Sequence, residues 1–101
     1  MIANIDQTRL EKICQKFGIT ELSLFGSAIR DDFSEASDID ILVNFEKESV
    51  PTLFRFEDLR LELQELFGRD IDLLTKRSIE KSRNRYRRQE ILGNHRVIYA
   101  A

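Results

Sequence analysis

A single cysteine, Cys14, stands in the whole sequence. It can close no internal disulfide, and no cysteine-based metal centre can be built on it. No apolar run approaches the roughly 20 residues needed to span a bilayer, and Met1 to Asp6 lack the basic-then-apolar pattern of a secretory signal. These absences predict a reduced, soluble, cytoplasmic protein. A large excess of either charge is also missing, with 16 Lys and Arg against 18 Asp and Glu. That balance argues against a dedicated nucleic-acid binder working through overall positive potential. Only four glycines and one proline are present, and they fall where chain punctuation is expected. There is no internal repeat and no low-complexity stretch.

What is present suffices for one domain, residues 1–101, and is too short for two. A domain this small buries roughly two-thirds of the surface its unfolded chain exposes, so a partner is expected to complete any elaborate site. Leu10, Ile13, Cys14 and Phe17 recur at helical spacing and mark an amphipathic helix that Gly18 ends. Thr20 to Phe25 alternate as a strand running into Gly26-Ser27, and the polar stretch Arg30 to Ser37 reads as a loop. Asp38 to Phe45 is a second strand, with Ile39, Ile41, Val43 and Phe45 on one face and Asp38, Asp40, Leu42 and Asn44 on the other. Helical period returns over 53–67, where Leu53, Phe56, Leu59, Leu63 and Leu66/Phe67 form the buried stripe. Thr52 or Ser49 is its cap and Gly68 its stop. Asp70 to Thr75 is a third strand, Ile79 to Leu92 a third helix closed by Gly93-Asn94, and Val97-Ile98-Tyr99 an edge strand. The order α-β-β-α-β-α-β predicts an α/β (α+β) domain with helices packed on one face of a small mixed sheet.

The acids carry the chemistry. Asp38 and Asp40 lie two apart on one strand, so both side chains leave the sheet in the same direction, their backbones about 6.5–7 Å apart. Two carboxylates about 6 Å apart repel by roughly 3 kcal/mol at an effective dielectric of about 20. A divalent cation turns that repulsion into attraction, and Mg²⁺ accepts a few carboxylate oxygens while phosphate and water complete its octahedron. Asp72 shares a face of the third strand with Asp70 and Leu74. If the second and third strands are neighbours, Asp72 meets the first pair. Three carboxylates can hold two metals that stabilise the entering and leaving oxygens of displacement at phosphorus. Taken alone, the same acids read equally well as a turn cap at Asp38, a solvent-facing Asp40 and an ordinary strand-end Asp72. Gly26-Ser27 is likewise either a plain strand-to-loop turn or a place where backbone N–H groups and a hydroxyl approach phosphate.

The run Leu24-Phe25-Gly26-Ser27, ten residues, then Asp38-Ile39-Asp40-Ile41-Leu42-Val43 resembles the signature of the DNA polymerase β-like nucleotidyltransferase superfamily. Within it the chain is similar to the minimal nucleotidyltransferase domains. Leu66 to Thr75 matches the segment carrying that family's third acid, and Arg96 to Tyr99 its last strand. The resemblance implies a polymerase β-like fold in which Gly26 and Ser27 grip a triphosphate, with Arg30 near the phosphates. Asp38 and Asp40 ligate Mg²⁺, and Asp72 holds the catalytic ion and helps deprotonate the attacking hydroxyl. It implies two Mg²⁺ ions, ATP as substrate and a HEPN-type toxin as partner in a hetero-oligomer, the toxin being silenced by transfer of AMP to a tyrosine. The chain departs from the family pattern at Asp31, where glycine commonly follows the arginine, and Asp32 adds a second negative charge.

Lys76, Arg77, Lys81, Arg83, Arg85, Arg87 and Arg88 crowd the third helix and its approach. They read as a solvated face, or as a positive surface for nucleotide phosphates, RNA or an acidic protein. Tyr86 among them is expected as a half-buried anchor, with stacking on a base as the alternative. His95 is given no role. Two other functions stay open: a binding module that neutralises its toxin by contact alone, and an RNA-binding or tRNA-modifying protein that uses the basic helix.

Overall fold

The computed structural model describes residues 5–29 and 38–101, with only the backbone of Ser27 and Ala28. The elements are α1 (Gln7–Phe17), β1 (Ile19–Phe25), a 3-10 turn (Gly26–Ile29), β2 (Ile39–Phe45), α2 (Leu53–Phe67), β3 (Ile71–Thr75), α3 (Lys76–Glu80), α4 (Arg85–Gly93) and β4 (His95–Ala100). The sheet order is β3-β2-β1-β4. β1 runs antiparallel to both β2 and β4, whereas β2 and β3 are parallel. A parallel pair cannot be joined by a tight hairpin, and α2 supplies the crossover between these two strands.

Local chemistry sets the boundaries. Asp6 caps α1 by accepting from the Arg9 N–H, and Thr52, not Ser49, caps α2 by accepting from the Arg55 N–H. Gly18 and Gly68 end the same two helices in the left-handed conformation. The α1 stripe Leu10, Ile13, Cys14 and Phe17 is fully inside, packed with Leu59 and Leu63 of α2 on the sheet face made by Leu22, Leu24, Ile39, Ile41, Val43, Ile71 and Leu73. Truncating either buried leucine of α2 to alanine costs about 2–5 kcal/mol. Exposed ion pairs between α1 and α2, such as Lys16–Glu62 at 2.9 Å, contribute well under about 1 kcal/mol each, so burial holds these helices down. The Arg55 guanidinium, 4.2 Å from the Phe17 ring centre, covers the seam.

Four details differ from the sequence reading. The expected third helix is two helices, because Ser82 and Asn84 spend their side chains on the local backbone. Asn84 donates its N–H to Ser82 Oγ and accepts from the Arg87 N–H, which ends one helix and starts another. These helices do not join α1 and α2: Ile79 and Ile91 pack on Phe25 and Leu42, on the opposite sheet face. Helices therefore cover both faces in part. Leu53 is 85% exposed and does not begin the buried stripe. The first turn of α2 stands over an open groove at the C-terminal ends of β2 and β3, so the stripe starts at Phe56. Tyr86, also 85% exposed, is no anchor, since Ile91 does that work for α4. No described helix is long and apolar enough to cross a membrane.

Candidate active site

Strand pairing assembles the site. The Ile39 N–H donates to the Asp70 carbonyl at 2.9 Å, closing the N-terminal ends of β2 and β3 together. From there the parallel register sets Asp40 directly opposite Asp72. Both side chains leave the sheet on the face of Leu42 and Leu74, because Ile39, Ile41, Ile71 and Leu73 take the other face into the main core. On the other flank of β2, Phe25 pairs with Asp40, which brings the bend after β1 to the same spot. Gly26 adopts φ 63°, and the Asp40 carboxylate lies so close that a β-carbon at position 26 would overlap its Oδ2. Glycine is required there twice, for the left-handed backbone and for the approach of the acid.

Asp40 and Asp72 open into a cavity of about 500 Å³ with Phe25, Gly26 and Ile29. Its remaining wall is α4 with its C-cap, through Arg87, Glu90, Ile91 and Asn94. Asp38 precedes β2 on the same alternation, is exposed, and does not line the cavity. Ser27 has its backbone in the turn beside Gly26, but its side chain, Arg30 and the acidic Asp31-Asp32 pair lie outside the described residues. Of the three acids that the sequence reading gathers, Asp40 and Asp72 meet beside Gly26 while Asp38 stands outside the cavity, and α4, read there only as a general basic face, closes it. Arg87, Glu90, Ile91 and Asn94 stand at i, i+3, i+4 and i+7, one helical face, and that spacing is the signal that could have found them.

The donor set is all oxygen. It suits Mg²⁺, which binds through one or two carboxylates plus substrate phosphates, and offers neither the thiolates nor the imidazoles of a softer metal site. Among the described residues no three acidic, thiol or imidazole side chains converge on one point. The Asp40–Asp72 pair is therefore a half-site that phosphate oxygens would complete, not a closed protein cage.

This fold and cleft fit the class of small α+β domains that act on nucleoside phosphates. The family model described as a nucleotidyltransferase domain matches residues 8–98, and the chain belongs to that family. The protein adenylyltransferase MntA of Thermococcus cleftensis is 37% identical over 79 residues, 78% of each chain. A solved structure described as a minimal nucleotidyltransferase superposes with TM-score 0.67 at 29% identity, over 88% of this chain and 85% of its own. A toxin–antitoxin crystal structure with AMP-PNP gives TM-score 0.71 at 19% identity, over 96% and 75%, a likeness of fold.

Proposed function

We propose that this chain is an antitoxin that transfers AMP from ATP to a tyrosine hydroxyl of a HEPN-type toxin, using two Mg²⁺ ions. The observation that carries this reading is the pairing of Asp40 with Asp72 beside Gly26 in one cavity. The adenylyltransferase name of the Thermococcus relative supports the choice of AMP. The toxin–antitoxin structure with AMP-PNP, an ATP analogue, supports the partner.

Asp40 and Asp72 would hold the ions, with Asp38 joining from the start of β2, while Gly26, Ser27 and Arg30 engage the phosphates. The bound ions supply charge neutralisation to the entering and leaving oxygens. Asp72 accepts the proton of the tyrosine hydroxyl as its oxygen bonds to the α-phosphorus. The bond from that phosphorus to the bridging oxygen breaks, and pyrophosphate leaves with the electron pair. The acceptor hydroxyl would be presented by the partner at the open mouth of the cavity lined by Asp40 and Asp72.

Incubating the protein with α-labelled ATP, Mg²⁺ and the toxin, then locating the label by mass spectrometry, tests the reading. Label on a toxin tyrosine is expected; pyrophosphate release without protein labelling would place the acceptor elsewhere. A second reading, neutralisation by contact alone, draws on Val50, Leu53 and Phe54, which are 62%, 85% and 86% exposed. Val50 and Leu53 line the groove at the opposite ends of β2 and β3 from the acids. An Asp40→Asn, Asp72→Asn double variant separates the two: a pure binder still neutralises, whereas a transferase does not.

A further inference from the structure

We propose that Arg87 binds the outer phosphates of the nucleotide, those that depart as pyrophosphate, and this rests on the nucleotidyltransferase reading of the cavity. The lining residues Asp40, Asp72 and Glu90 are acidic, and Arg87 is the one cation among the described lining residues. A triphosphate entering this cleft meets three carboxylates on the protein side. Divalent cations address the acids of the sheet wall, but the α4 wall needs a positive charge of its own to face the phosphates that the ions do not cover.

Arg87 is aimed and available. Ile91, one turn along the same helical face, is 7% exposed and locked against Phe25 and Leu42, so the rotation of α4 that buries Ile91 turns Arg87 towards the cavity. The Asn84 cap starts the helix at a defined residue and holds that phase. No hydrogen bond or ion pair to a described residue engages the Arg87 guanidinium, not even with Glu90 three residues on. Its neighbour Arg88, by contrast, donates to the Ser82 carbonyl at 3.0 Å. A guanidinium presents a planar fork of donors that matches two phosphate oxygens, which a lysine cannot reproduce. The basic stretch 76–88 thus resolves into one residue directed at the cleft and several that are not.

Calorimetric titration of the purified chain with ATP and with AMP, in the presence of Mg²⁺, tests the assignment. Arg87→Met, Arg87→Lys and Arg85→Met are compared with the parent; position 87 is an exposed helix site, so these variants keep the parent's melting temperature. Arg87→Met is expected to weaken ATP binding by about 10–100-fold, the loss of one charge-assisted contact. It leaves AMP binding unchanged, and Arg87→Lys falls between. Arg85→Met, which removes the same charge away from the cavity lining, leaves both unchanged. Equal weakening of ATP by Arg87→Met and Arg85→Met would overturn the proposal in favour of general electrostatics. Equal weakening of ATP and AMP would overturn it by placing Arg87 at the nucleoside or the α-phosphate. If the parent binds neither nucleotide, the nucleotidyltransferase reading itself fails; if the parent binds ATP and Arg87→Met binds it as well, this inference alone fails.

Discussion

Gly26→Ala concentrates the structural claim in one methyl group. The backbone there has φ 63°, a conformation that costs a non-glycine residue about 1–2 kcal/mol. The stiffer unfolded chain returns about 0.4–1 kcal/mol, so the net stability loss is expected at roughly 1 kcal/mol. Gly68 has nearly the same φ, 69°, but nothing within 4 Å of the position a methyl would take. Gly68→Ala therefore reports the backbone cost alone. At position 26 the methyl also overlaps Asp40 Oδ2, with Cγ at 3.3 Å and Cβ at 3.6 Å behind it. A short side chain anchored on β2 cannot slide away, so its carboxylate must turn. The two variants should lose similar stability in urea unfolding, yet Gly26→Ala alone should weaken Mg²⁺–ATP binding, by about 10–100-fold if one charged ligand contact is lost. Equal Mg²⁺–ATP affinity in the two variants would refute the placement of Gly26 against a working Asp40.

Asp72→Asn relieves a like-charge pair directly across two strands, so without metal its stability should equal the parent's or exceed it by up to about 1 kcal/mol; a clear loss on urea unfolding would mean that Asp72 has a structural partner. The Ser23 hydroxyl is buried with no hydrogen-bond partner among the described residues, and Ser23→Ala should raise stability by about 1 kcal/mol. Burial pushes the Cys14 thiol up to about 12, with Glu11 adding to the rise. Its folded value lies above its unfolded one, so its contribution is intact below roughly pH 9 and erodes as pH climbs towards 12. The fall in stability over that window should be shallower in Cys14→Ala, by up to about 1.4 kcal/mol per pH unit, and native protein should resist thiol reagents at pH 8 until denaturant is added.

Much of the fold is legible because its signals are local. β2 is a run of apolar, largely β-branched residues from Ile39 to Val43 broken only by Asp40, and α2 carries a threonine at one end and a glycine at the other. Pairing is another matter. That Asp40 faces Asp72 depends on β2 and β3 being parallel neighbours in a given register, which α2 and the Ile39–Asp70 bond decide at long range. The motif residues foretell the meeting only through resemblance. The break at 81–84 is hidden for a different reason: Ser82 and Asn84 are tolerated on a helix surface, and only their side-chain bonds to the backbone tip them into a cap. Around Arg87 the surplus of arginines masks which one points inward, although Ile91 marks the inward face. Arg30 and Asp31 stay sequence expectations, since they fall outside the described residues.

The cation site itself can be located without catalysis. Mn²⁺, added with ATP to ¹⁵N-labelled protein, broadens the amide signals of nearby residues. It should erase Asp40 and Asp72 at the lowest Mn²⁺ ratio and broaden Phe45 and Thr75, some 10–17 Å along the same two strands, less. Asp72→Asn should abolish the pattern. Broadening centred on the acidic surface of α2, at Glu57, Asp58, Glu62 and Glu65, with Asp40 and Asp72 left sharp, would contradict a metal held between β2 and β3.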